Sequence, residues 1–225
     1  GLGSGVGYLL DRLALRRLRN KKAPKLTGLI TTLGMSMIID NTIMLAFGSE
    51  TKPFPNHFDF GRIEIGSVVI SWVQIIILAT ALTLMLILSF VVYKTKIGKA
   101  MRCTSQNAEA ARLMGISVNR VIAFTFIISG VLACISGNLV GMYYQTVDIT
   151  MGASIGMKTF ASAILGGVGV LPGAMVGGLV VGVIETFSAG YISSGYRDAI
   201  SFVVLILVLL IKPSGLFGSK QINKV

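Results

Sequence analysis

The chain has 225 residues, 53% of them hydrophobic and only 13% charged, where a soluble domain carries about a quarter charged residues. That balance excludes an ordinary soluble enzyme or binding module and predicts an integral membrane protein. The net charge of +11 does not signal a nucleic-acid partner, because the basic residues gather between apolar runs rather than in one interleaved stripe.

In chain order, Gly1–Leu10 reads as the tail of an earlier span, so further N-terminal spans are expected to be missing from this segment. Residues 11–25 set seven Lys/Arg against one acid, Asp11, and read as a cytoplasmic elbow along the anionic leaflet. Leu26–Gly48 is the first full span and contains the pair Asp40–Asn41. Residues 49–70 carry Pro53, Pro55 and the alternating run R-I-E-I-G-S-V-V-I, which predicts a small extracytoplasmic hairpin or loop. Ser71–Tyr93 returns inward, 94–120 is a long polar loop, and Val121–Tyr143 crosses outward. Residues 144–157 read as an outside loop. A short apolar segment, Thr159–Val170, then meets a break at Gly166–Gly173 that includes Gly166, Gly167, Gly169, Pro172 and Gly173. Ala174–Gly190 and Asp198–Ile211 complete an all-α polytopic membrane fold of about six spans, some short or broken, in a single transmembrane domain over 1–225.

The charge distribution orients these spans. Segments 11–25, 94–120 and 212–225 hold 16 of the 20 Lys/Arg, leaving Lys52, Arg62, Lys158 and Arg197 on the other side. Loop 94–120 and the C-terminus are therefore expected to face the cytoplasm. Between Tyr143 and Asp198 the number of crossings must be even, which two short passes meeting at the Gly/Pro break satisfy, as does a re-entrant loop. Gly137-x-x-x-Gly141, Gly173-x-x-x-Gly177 and Gly178-x-x-x-Gly182 predict close helix packing.

Within the polar loop, Asn107–Gly115 reads as one short helix. Asn107 is its N-cap, Glu109 complements the first turn, and Gly115 is the stop. Ala110, Ala111 and Met114 share a face at helical spacing and are expected to pack on something.

Catalytic chemistry has little to stand on. The only histidine, His57, lies in the outside loop, and no His/Cys/Asp cluster has metal-ligand spacing. Cys103 and Cys134 read as free thiols. The sequence contains no H-E-x-x-H and no G-x-x-x-x-G-K-[ST], so ATP-driven work would be powered by a partner. Two acids fall inside spans, Asp40 and Glu185. They read either as a polar lining of a solute path, with Asn41 and Ser162 as companions, or as structural acids near the interface.

The segment E-A-A-R-L-M-G at Glu109–Gly115 resembles the coupling-helix motif of ABC-importer permeases, which docks on the ATP-binding subunit. A longer series of matches runs through Thr32–Ile39, Lys52–Pro55, Gly98–Thr104, Glu109–Ile116, Leu165–Ala174, Tyr196–Asp198 and Pro213–Gly218. Together these resemble a branched-chain amino acid ABC-importer permease. The resemblance implies an inner-membrane subunit with no cofactor of its own, ATP being used by its partners. Those partners would be a homologous second permease, two cytoplasmic ATPases and an extracytoplasmic substrate-binding protein. Relatives of the family that move urea or short amides leave the solute open. An ion-coupled secondary transporter is the rival class.

Overall fold

The computed structural model describes residues 2–12, 25–54, 62–65, 68–167, 169–191, 193–212 and 215–218. Most of the basic elbow (13–24), His57, Pro55 and the end of the tail lie outside the described residues. The chain forms two compact units, Gly1–Thr150 and Met151–Val225.

The first unit opens with α1 (Leu2–Leu10) and α2 (Lys25–Phe47). Strands β1 (Lys52–Pro53), β2 (Arg62–Ile65) and β3 (Val68–Ser71) follow. Then come α3 (Trp72–Lys94), α4 (Lys96–Gln106), α5 (Ala108–Leu113), α6 (Val118–Tyr144) and β4 (Thr146–Val147). The expected hairpin is present as the antiparallel pair β2–β3, in register Arg62↔Ser71 to Ile65↔Val68. Ser71 then starts α3 with a capping box: its Oγ accepts from Val73 N at 3.3 Å and Gln74 Oε1 accepts from Ser71 N at 3.2 Å.

A second strand pair was not legible from sequence. β1 pairs antiparallel with β4, Lys52 opposite Val147, and Phe54 N donates to Gln145 O at 2.9 Å. This seats the Phe54 ring on Gly141 of α6, where a Cβ would come within 2.9 Å of the ring. Asp148 reinforces the connection, accepting from Thr150 N and Oγ1 at 2.8 Å and from Thr51 Oγ1 at 3.2 Å. The Thr150 backbone bond chiefly, with the Thr150 hydroxyl next and Thr51 adding, holds the Asp148 carboxyl below the usual carboxylate range, because each donor favours the charged form.

The tightest packing in this unit is α1 on α6. A Cβ on Gly3 would stand 2.5 Å from Gly130 O, and Gly7 abuts the Phe126 carbonyl in the same way. These are backbone-to-backbone contacts of the kind small residues permit in membranes. Of the sequence-predicted glycine pairs, Gly173-x-x-x-Gly177 does make such contact. Gly137, Gly178 and Gly182 face open space. Spacing locates a small-residue stripe but not the neighbour it meets.

The second unit holds α7 (Met151–Gly166), α8 (Leu171–Tyr191), a short 3-10 turn (Ser194–Tyr196) and α9 (Arg197–Ile211). α7 starts at Met151, ahead of the expected Thr159, so Lys158 lies inside a helix and not beside a loop. Its Gly152, Gly156 and Lys158 dilute the hydropathy that would have marked it from sequence.

Among the described residues, four helices are long and apolar enough to cross a bilayer: Ile30–Phe47, Trp72–Lys94, Val118–Tyr144 and Leu171–Tyr191. α7 and α9, of 16 and 15 residues, are shorter than the ~20 of a standard span. Burial is inverted relative to a soluble core. Leu33, Met37, Leu86 and Phe90 are exposed, while the buried set runs to Ala111, Ala161, Leu165, Val181 and helix-contact glycines. That is how helices pack when lipid is the solvent, because apolar side chains gain little by leaving it.

Candidate functional site

Three clusters carry the residues singled out by the sequence. The first is the polar loop between α3 and α6, which folds into two helices rather than one. Thr95 ends α3 and caps α4, its Oγ1 accepting from Gly98 N at 3.1 Å. Gly98 is buried in the bend, where a Cβ would sit 2.6 Å from Val92 C. Arg102 stacks over the Tyr93 ring at 5.5 Å, tying α4 back to α3.

Asn107 closes α4 through its N–H to Cys103 O at 3.1 Å. It then opens α5, its Oδ1 accepting from Glu109 N at 3.0 Å and Ala110 N at 3.1 Å. The other end of α5 is a Schellman stop. Ile116 N donates to Ala111 O and Gly115 N to Arg112 O, both at 3.0 Å, with Gly115 at φ +79°. Both ends of this six-residue helix are thus satisfied locally, which a helix too short to propagate on its own requires.

The faces of α5 differ from the expectation. Ala111 turns inward and is 3% exposed, whereas Leu113 and Met114 are 89% and 83% exposed. Glu109 and Ala110 are also on the surface. Leu113 was missed by sequence reading. Its signal was two consecutive large apolar residues just before a stop glycine in an otherwise polar loop. Beside them lies a shallow cavity of about 310 Å³ lined by Arg112, Gly115, Ile116, Ser117, Val118 and Asn119.

The second cluster is the Gly/Pro break. Gly166 of α7 and Gly173 of α8 meet backbone to backbone, and a Cβ on Gly177 would lie 2.8 Å from Gly166 N. The connection between the helices bends through Gly167 and Gly169, at φ +110° and +89°, and Pro172 occupies the first turn of α8, where its missing N–H costs nothing. The C-terminal segment then returns to this turn. Leu216 N donates to Leu165 O at 2.8 Å and Phe217 N to Gly166 O at 3.1 Å, pairing two carbonyls that the end of α7 leaves open. Lys212 Nζ donates to Leu216 O at 2.6 Å. The described parts of two separate motifs of the sequence, Leu165–Gly167 and Gly215–Gly218, therefore form one structural element.

Gly215→Ala tests that element. Gly215 has φ +78°, and its Cβ would stand 2.7 Å from Gly167 Cα and Ile164 O. The expected cost is about 2–4 kcal/mol, from left-handed strain and the two lost hydrogen bonds. Faster amide exchange at Leu216 and Phe217 is the expected readout.

The third set is the residues read as a polar lining, which are divided between the two units. Asp40 is half-buried on α2, and Asn41 donates to Met37 O of its own helix at 2.7 Å. Ser162 belongs to the other unit and donates to Lys158 O at 2.6 Å. Glu185 instead has a charged partner that sequence reading overlooked: Lys158 Nζ lies 3.1 Å from its Oε1. Among the described residues, no group of three or more His, Cys, Asp or Glu is placed to hold a metal.

The fold and these clusters define a class: a polytopic helical membrane protein built on close glycine contacts, with a capped helix presented from a polar loop. Residues 1–209 match the family described as the permease component of branched-chain amino acid transport systems. The chain is 38% identical to the high-affinity branched-chain amino acid permease protein LivH of Salmonella typhimurium, over all of this chain and 73% of that one. It is 38% identical to BraD of Pseudomonas aeruginosa, over 99% of this chain and 73% of that one. It is 26% identical to the ribose import permease RbsC of Haemophilus influenzae, over 67% of this chain and 46% of that one. No solved structure matches it. The chain belongs to the branched-chain amino acid transport permease family.

Proposed function

We propose that the chain is the membrane subunit of an ATP-driven importer for branched-chain amino acids, moved by partner ATPases through α5. The partners would be a homologous permease, two ATP-binding subunits and an extracytoplasmic binding protein. Loop 94–120 and the C-terminus would face the cytoplasm of a cell whose inner membrane holds the complex.

The observation that carries this reading is the exposed apolar pair Leu113–Met114 on a helix whose two ends are capped within the loop. A short rigid helix transmits displacement only if it does not fray, and the Asn107 cap with the Gly115 stop prevents fraying. Its apolar tip in a polar loop is the kind of anchor a partner's cleft desolvates. The cavity lined by Arg112 and Ile116 offers a place for a reciprocal side chain. The printed names of the relatives supply the solute class.

Gly115→Leu is the direct test. Nothing lies within 4 Å of a Cβ there, so the change acts through the left-handed backbone alone, at a cost of about 1–2 kcal/mol. In proteoliposomes holding the complete complex, ATP hydrolysis is expected to continue while leucine uptake falls. Unchanged uptake would defeat the coupling role. Urea and short amides as competitors would show whether the solute class has been read correctly.

One observation favours the rival reading. An ion-coupled secondary transporter needs an acid and a base paired within the membrane, and Lys158–Glu185 is such a pair. Uptake that persists without the ATPases and follows an imposed proton gradient would establish it.

A further inference from the structure

The Lys158–Glu185 pair joins two apolar helices, with the Glu185 side chain 7% exposed and that of Lys158 24%. Ionised groups inside membrane helices are costly and persist where they meet an opposite charge or a polar route. Holding α7 to α8 does not by itself require them. The crossing is already fixed by backbone contact among Gly166, Gly173 and Gly177, and well-packed apolar residues commonly replace a buried pair without loss of stability.

A second polar group lies on the same face of α8. Ser188, one turn after Glu185, is 3% exposed, and its Oγ has no hydrogen-bond partner among the described residues. A buried hydroxyl left unsatisfied is a cost that a bound ligand would remove. Carboxylate and hydroxyl thus sit together on one helix, with an ammonium facing the carboxylate from the next.

The charge pattern selects a ligand class. A single cation or anion entering here would leave either Lys158 or Glu185 uncompensated in a low-dielectric setting. A zwitterion with its ammonium and carboxylate on one carbon would satisfy both, so one protein ion pair is exchanged for two protein–ligand pairs with no net charge buried.

We propose that Lys158, Glu185 and Ser188 form a contact site for the main-chain zwitterion of an α-amino acid crossing the membrane. Lys158 takes the ligand carboxylate, Glu185 takes its α-ammonium, and Ser188 Oγ donates to the carboxylate. The inference rests on the importer reading above and adds the point at which this chain reads the part common to all α-amino acids.

The test uses the full complex in proteoliposomes with radiolabelled leucine. The neutral pair K158M/E185M should assemble with its partners yet raise the KM for leucine by at least about tenfold, the loss of charge-assisted contacts to the ligand. The swap K158E/E185K keeps an ion pair but exchanges the two ends for a chiral ligand, and should show the same rise. Leucine KM within twofold of the parent in either assembled variant overturns the proposal and leaves the pair a structural clamp. If the neutral pair fails to assemble, the swap alone decides between these outcomes. Failure of the importer reading is distinguishable, since the unaltered complex would then show no ATP-dependent uptake of any α-amino acid.

Discussion

Gly166→Ala is expected to open the α7–α8 hairpin, although it adds only one methyl group. That methyl would fall inside the van der Waals envelope of the Gly173 carbonyl and stand 2.6 Å from Ala174 N. The obstructing atoms are backbone, so no side chain can rotate aside. The helices must separate, and separation also strips the closure that Leu216 and Phe217 make on Leu165 and Gly166. Overpacking a well-filled contact costs about 1–3 kcal/mol when side chains yield, and a backbone wall places this variant at the upper end or beyond. A fall in Tm of roughly 6–12 °C follows for a chain of this size. Gly178→Ala and Gly182→Ala are the controls, because nothing lies within 4 Å of either added Cβ. They should stay within about 0.5 kcal/mol of the parent. Equal melting of all three variants in detergent would show that the hairpin is not packed as described.

The other large effect is expected at α5. Leu113→Glu with Met114→Glu should leave the chain folded, because both side chains stand almost fully in the open. Docking of an ATP-binding subunit should nonetheless weaken by about a hundredfold or more, from two apolar anchors worth about 1.5–3 kcal/mol each when desolvated. Co-purification of that subunit and leucine uptake measure the loss. Ala111→Leu should do the opposite. Ala111 is buried against its own chain, so a larger side chain there strains the loop before any partner arrives. Intact docking of the double Glu variant would remove α5 as the point of contact.

The separation of these two residue sets shows where sequence reading stopped. The N-cap at Asn107 and the stop at Gly115 were legible because each depends on neighbours within a few positions. The inward turn of Ala111 was not, since it depends on how α4 and α6 flank α5. The same limit explains the Lys158–Glu185 pair, which depends on α7 beginning at Met151 and packing so that the two side chains come within 3.1 Å.

Composition and local pattern by themselves determined that this is a helical membrane protein, where its apolar runs fall, and which short helix carries capping signals at both ends. Those properties follow from transfer free energy and nearest-neighbour hydrogen bonding, both of which are written residue by residue. Only the tertiary structure decided which glycines touch, that Leu216 and Phe217 close the end of α7 at Leu165 and Gly166, and that Glu185 has Lys158 for a partner. Close approach, strand pairing and ion pairing join residues distant in the chain, and no local period encodes the partner.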